Sequence, residues 1–422
     1  MIGSGYMSLS KNLKLRLVAS FLNRIAAFSI TPFMILYFVQ MFGLKVAGVI
    51  GIFQVAISYA SNLIGGYLGD RYSPDKLIFR GQVIQGLTQL FIGLSIFYFE
   101  NKIITLSLYL LNLGISNLYK STFSSLLIAS VTSENKKRAY MYDYVSVNIA
   151  LSLGIAIGSL LFGKYQYLVF IFSSLLIFII AFMLRTFFDF SDIEKHEAIK
   201  YTSFKNEIIQ FVSDYRIPVK DSRFVKYVLA NSVIMASPLA IEGLGQIHFK
   251  DFVDQSNFLF LHFSNGVKLF GAVQIENVIV VVLGTVLLST IISKLSTIPA
   301  TLLLVAYVIS YNVIYNITSI PMIFAIMMIA SISELVYASF VQSMQADLVP
   351  KNHRSKYISF NMLGNYTSQL IVSLSLIILA QSNMILTTFI LSTLSIVGIL
   401  VIISIKANLV NTQLVNLTRK VE

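Results

Sequence analysis

Cysteine and tryptophan are both absent from the 422 residues, and only 12% of the side chains are charged. Without cysteine there is no disulfide framework, no thiolate metal site and no cysteine nucleophile. Without tryptophan, any interfacial aromatic belt has to be built from the 22 tyrosines. Soluble proteins carry about 25% charged residues. Half that share, with 56% hydrophobic residues and a mean hydropathy of +0.78, cannot coat a globule this long with polar surface. A soluble enzyme and a disordered chain are both excluded, and a polytopic membrane protein remains. The sequence also lacks a P-loop and any nucleophile–base pair placed by motif. Those absences argue against an enzyme or an ATP-driven pump. They leave an ion gradient as the energy source, with no cofactor.

What is present is a series of apolar runs. About 20 mostly apolar residues cross a bilayer as a helix. That ruler predicts twelve spans, helices 1 to 12, at 16–40, 44–69, 77–98, 103–128, 140–163, 166–184, 224–249, 270–294, 297–317, 321–345, 357–380 and 385–405. The expected fold is an all-α membrane protein of two six-helix halves, 1–184 and 224–422, joined by a charged central loop, 185–223. Such paired halves are common in secondary transporters. With both termini cytoplasmic, 24 of the 31 Lys and Arg fall on the inner side and five (Lys45, Lys102, Lys164, Lys250, Lys268) outside. The net charge of +12 therefore reads as the positive-inside bias rather than as a nucleic-acid footprint. In the central loop, Ile208, Ile209, Phe211, Val212 and Tyr215 have helical spacing. They suit either an amphipathic helix on the inner membrane surface or ordinary loop packing.

Six ionisable residues fall inside spans, where each costs about 2.5–3.5 kcal/mol to insert. Arg24, Lys120, Glu242 and Glu334 stand alone in helices 1, 4, 7 and 10, the first helix of each three-helix repeat. Asp143 lies in helix 5 and Glu276 near the outer end of helix 8. A carboxylate in low dielectric with a cation nearby is suited to loading and releasing a proton. Glu242 and Glu334 are the natural carriers, with Arg24 and Lys120 as their expected partners. The plainer readings are that Arg24 and Lys120 snorkel, that the two Glu sit in structural ion pairs, that Glu276 reaches water and that Asp143 answers its helix N-terminus. His248 and His262 lie outside and His196 and His353 inside, and no metal cluster is expected. Pro32 allows a bend in helix 1, and Gly154 and Gly158 share one face of helix 5 where a backbone can approach.

The segment GGYLGDRYSPDK (Gly65–Lys76) places Gly66, Gly69, Asp70 and Arg71 in a pattern that resembles the inner-gate signature of the major facilitator superfamily. Ser73, Pro74 and Asp75 depart from it. Three stretches, LSKNLKLRL, ENKKRAYMYDY (Glu134–Tyr144) and SELVYASFVQSMQADLVP (Ser333–Pro350), resemble the lactococcal multidrug/proton antiporters of that superfamily. This resemblance implies a monomeric antiporter in the bacterial cytoplasmic membrane that exchanges protons for lipophilic or amphipathic small molecules. By motif, it puts proton and drug contacts on Asp143, Glu242 and Glu334. Ala129, Arg24 and Lys120 depart from it and make the cavity less negative, and Ile155 stands where helix 5 of such antiporters has proline. LYKSTFSSLL (Leu118–Leu127), together with Arg24, Lys120, Glu242 and Glu334, resembles proton-coupled oligopeptide transporters instead. Ser20 and Asn23 there replace two expected acids. Symport of a peptide or zwitterion is the alternative this implies. Either way the partners are a small molecule, protons and membrane lipids, with no nucleic acid.

Overall fold

The structure, a computed structural model, describes residues 9–99, 101–132, 134–191, 215–250, 256–258, 261–263, 265–292 and 294–421. Its helices are α1 (Lys11–Phe42), α2 (Leu44–Arg71), α3 (Pro74–Phe99), α4 (Lys102–Ala129), α5 (Lys136–Leu161), α6 (Gln166–Phe187), α7 (Ser222–Phe249), α8 (Gly266–Ile292), α9 (Thr297–Ile314), α10 (Ile320–Leu348), α11 (Arg354–Gln381) and α12 (Met384–Val421). Among the described residues, ten are long and apolar enough to cross a membrane. The other two are α4 and α9. Helix α4 is 28 residues long but interrupts its apolar run with Asn112, Ser116, Asn117, Lys120, Ser124 and Ser125, whereas the apolar part of α9 is short, Ile298–Ile314. The chain is thus a multi-pass membrane protein. One feature departs from an all-α fold: between α7 and α8 the strands β1 (Ser256–Phe258) and β2 (Leu261–Phe263) pair antiparallel, Ser256 opposite Phe263. Helix α12 also runs well past its expected end at 405. Of the proposed amphipathic stretch, Ile208, Ile209, Phe211 and Val212 lie outside the described residues. Tyr215 is helical, as are the described residues 216–220, and its ring lies 5.8 Å from that of Phe360.

Two compact units divide the chain: Met1–Tyr37 with Phe53–Glu207, and Phe38–Ile52 with Ile208–Glu422. The same neighbour pattern recurs in each. In the first, α1 packs on α5 and α6, and α3 on α4 and α6. In the second, α7 packs on α11 and α12, and α9 on α10 and α12.

The helices α1 and α7 also break alike. Proline has no N–H to give the preceding turn, and an unmet backbone group costs several kcal/mol where water is excluded. In α1, the turn at Ser29–Ile30 precedes Pro32. The hydroxyls of Ser29 (3.0 Å) and of Ser173 on α6 (3.1 Å) both donate to the Ala26 carbonyl. In α7, Pro238 precedes a 3-10 turn at Ala240–Glu242. There Ser395 on α12 donates to the Val233 carbonyl (2.7 Å) and Tyr315 to that of Ser237 (2.6 Å). Ser29 meets Ser173 at 3.1 Å and Ser237 meets Ser395 at 3.0 Å, so each broken helix is held by one serine from the last helix of its unit.

Glycines set the closest approaches. A methyl on Gly154 would lie 2.7 Å from the Phe28 side chain, and one on Gly158 would lie 2.2 Å from the Phe33 ring and 2.5 Å from the Ser29 carbonyl. The shared glycine face of α5 is therefore what seats the bend of α1.

Candidate functional site

The inner-gate segment closes the end of α2. A methyl on Gly66 would meet nothing within 4 Å, whereas one on Gly65 would lie 2.2 Å from the Leu118 carbonyl and one on Gly69 2.6 Å from the Thr122 hydroxyl. The glycines that admit α4 are thus Gly65 and Gly69, four apart on one face. Asp70 is exposed at the end of α2, and the Arg71 guanidinium lies 4.1 Å from the centre of the Tyr67 ring. Asp75, which departs from the signature, has a partner the sequence did not suggest: Arg185 at the end of α6, 3.0 Å away.

In the first unit the chemistry gathers on α1 and α5. Arg24 and Asp143 form a two-pronged ion pair, Nη1 to Oδ1 at 2.9 Å and Nη2 to Oδ2 at 3.0 Å, with their side chains 27% and 16% exposed. Arg24 Nη1 also reaches the Asp143 carbonyl at 3.4 Å. Because α5 begins at Lys136, Asp143 sits two turns inside it and answers a guanidinium rather than the helix terminus. Arg16, the first residue of the first predicted span, is buried in α1. Its Nε donates to the Phe123 carbonyl at 3.0 Å, its guanidinium lies 4.1 Å from the centre of the Phe123 ring, and Nη1 has no hydrogen-bond partner. Lys120 is exposed on α4 and makes no ion pair among the described residues.

In the second unit Glu334 sits midway along α10. Its Oε2 accepts from Asn277 Nδ2 on α8 at 3.0 Å and from the Tyr311 hydroxyl on α9 at 3.4 Å. Asn277 Nδ2 also lies 3.0 Å from Ser331 Oγ and 3.5 Å from the Tyr311 hydroxyl. The neighbouring rings are tyrosines. Tyr307 stands edge-on to Tyr311 (centroids 5.5 Å apart) and stacks on Tyr337 (4.8 Å), whose hydroxyl donates to Asn231 Oδ1 at 2.6 Å. Among the described residues of the second unit no cation forms an ion pair with Glu334, and its donors are neutral.

Glu242 ends the 3-10 turn of α7, half-buried, and its carboxylate has no partner among the described residues. Glu276, one residue before Asn277, keeps Oε2 buried without a hydrogen bond. Among the described residues no cluster of three or more His, Cys, Asp or Glu could hold a metal ion. Neutral Asn277, Tyr311 and Ser331 were passed over in a search for charges. Asn277 stands out only as an amide at the head of an apolar run.

The profile of the Major Facilitator Superfamily matches residues 16–362. The chain belongs to the Major Facilitator Superfamily. It is therefore a membrane transporter and not an enzyme. A Na(+), Li(+), K(+)/H(+) antiporter of Planococcus maritimus is 24% identical over 380 residues, 87% of this chain and 89% of that protein. An uncharacterized MFS-type transporter, YttB, of Bacillus subtilis (strain 168) is 23% identical over 353 residues, 82% of this chain and 83% of that one. Among solved structures, a POT family transporter in complex with 5-aminolevulinic acid superposes with a TM-score of 0.72 at 16% identity, over 96% of this chain and 99% of that one. At that identity the likeness is one of fold.

Proposed function

We propose that this superfamily member is a proton-coupled antiporter that exports lipophilic or amphipathic compounds from the bacterial cytoplasm. In this reading it is a monomer of twelve spans with both termini cytoplasmic, driven by the proton gradient without a cofactor. The observation that carries the reading is the setting of Glu334. It is a mid-span carboxylate with no countercharge, held through one oxygen by neutral donors and ringed by tyrosines. Such a carboxylate carries a proton or faces a cation, and an aromatic wall attracts cations through its ring faces. Relatedness to a cation/proton antiporter supports the same exchange chemistry.

The cycle follows from competition. A proton arriving from outside neutralises Glu334, the cargo cation loses its electrostatic anchor, and alternating access carries the neutralised site inward. Glu242 is the outer relay. Asp143, with Arg24, is the group near which the proton leaves, and Asp70 with Gly66, Gly69 and Arg71 forms the inner gate, where Gly65 adds a close approach to α4.

The second reading is symport of a peptide or zwitterion, which the fold likeness to a POT family transporter favours. Arg24 weighs against it. Both guanidinium prongs are taken by Asp143, which leaves Lys120, of the two cations that carry this resemblance, for a peptide carboxylate. The two readings separate in proteoliposomes with a pH dye inside and an inward proton gradient. Internal lipophilic cation accelerates proton entry under the antiport reading. Acceleration by external dipeptide alone would replace antiport with symport.

A further inference from the structure

Three oxygens from two helices, α9 and α10, converge on one atom of α8. Glu334 Oε2 (3.0 Å), Ser331 Oγ (3.0 Å) and the Tyr311 hydroxyl oxygen (3.5 Å) all face the amide nitrogen of Asn277. That nitrogen has two hydrogens for three oxygens, and it is the positively polarised end of its amide. It stands where a small cation bound by the same oxygens would stand. A half-turn of the amide replaces it with Oδ1 and adds a fourth oxygen from α8. Ser331 is fully buried and Tyr311 nearly so, while Glu334 and Asn277 are half-buried.

We propose that Glu334, Ser331, Tyr311 and Asn277 bind a monovalent alkali cation of about the size of sodium, in competition with the proton. The charge count selects the valence. One carboxylate with neutral oxygens becomes neutral on binding a single positive charge, whereas a divalent ion would leave a net charge in a low-dielectric span. All the donors are oxygens, the set that hard cations take. The convergence point is filled by a single NH2 group, which suits an atom-sized ion and not a bulky organic cation. Organic cargo would instead meet Glu334 Oε1 and the tyrosine faces, so one carboxylate serves both, and alkali ion, cargo and proton exclude one another. This inference rests on Glu334 being the coupling carboxylate.

The test uses the full chain in proteoliposomes with a pH dye and no organic substrate. A sodium gradient is expected to drive protons the opposite way, saturably, with no flux from an equal osmotic load of sucrose. Ser331→Ala and Asn277→Leu, each checked for folding by thermal melting, are expected to raise the half-saturating sodium concentration about tenfold or more. Glu334→Gln is expected to abolish both the flux and the binding of radioactive sodium to purified protein. If lipophilic cations exchange for protons but sodium, lithium and potassium gradients move none and radioactive sodium does not bind, the alkali site is refuted and the antiport reading stands. Sodium-driven flux unchanged in both Ser331→Ala and Asn277→Leu also refutes this site. If neither organic cations nor alkali ions move protons, both readings fall together.

Discussion

The Arg24–Asp143 pair offers a sharp energetic test. Both carboxylate oxygens are engaged, at 2.9 and 3.0 Å, and both side chains are more than two-thirds buried. A hydrogen bond between charged groups contributes about 1.5–3 kcal/mol, and removing one partner of a fully buried pair costs about 3–5 kcal/mol. Residual exposure of 27% and 16% places the cost of Arg24→Gln or Asp143→Asn toward the lower range, about 2–3 kcal/mol each. Either single variant strands a charge in the first unit. The double variant strands neither, and so recovers about 1.5–3 kcal/mol relative to the sum of the singles. Thermal and denaturant unfolding of the purified protein in one lipid or detergent gives all four corners of the cycle. Losses that simply add would show that the two groups do not act as a pair and would refute the geometry. The same variants report on function. If the pair marks the proton exit, Asp143→Asn slows proton-driven transport while still binding cargo.

Other consequences are equally direct. Gly65→Ala forces a methyl to 2.2 Å from the Leu118 carbonyl and is expected to destabilise by about 1–3 kcal/mol, whereas Gly66→Ala meets open space and stays near wild type in the same melting assay. Ser173→Ala and Ser395→Ala each remove a hydroxyl that donates to a carbonyl of a proline-broken helix. Both should lose about 1 kcal/mol of stability, and a much larger loss in only one would break the parallel between the units. Arg185→Gln unpairs Asp75 at a site where the arginine is more than half exposed, so its melting temperature should barely move.

Span positions, the bend at Pro32 and the glycine face of α5 were legible in the sequence because each rests on local pattern: apolar length, a missing N–H, two residues four apart. The close approach at Gly65 was not legible because a motif fixes residue types but not which face of a helix meets its neighbour. Pairing of charges was not legible for a related reason. Arg24 and Asp143 lie 119 residues apart, and only helix rotation decides that the guanidinium turns to α5. The neutral residues around Glu334 escaped notice because Asn277, Tyr311 and Ser331 mean little until three helices are seen to converge. The hairpin at 256–263 stayed hidden in a segment too short and too mixed for a period of two to stand out. The burial of Arg16 was not legible because a positive charge at a span edge reads first as a topology signal.

The central claim is that Glu334 is the carboxylate exchanged between proton and cargo. The measurement that reaches it most directly compares wild type with Glu334→Gln in proteoliposomes, following both proton-driven transport and substrate counterflow of a lipophilic cation. The account predicts that the variant, fixed in the neutral state, loses proton-driven accumulation and no longer answers to pH while remaining folded. Proton-driven transport at the wild-type rate in Glu334→Gln would contradict it and move the coupling site elsewhere in the chain.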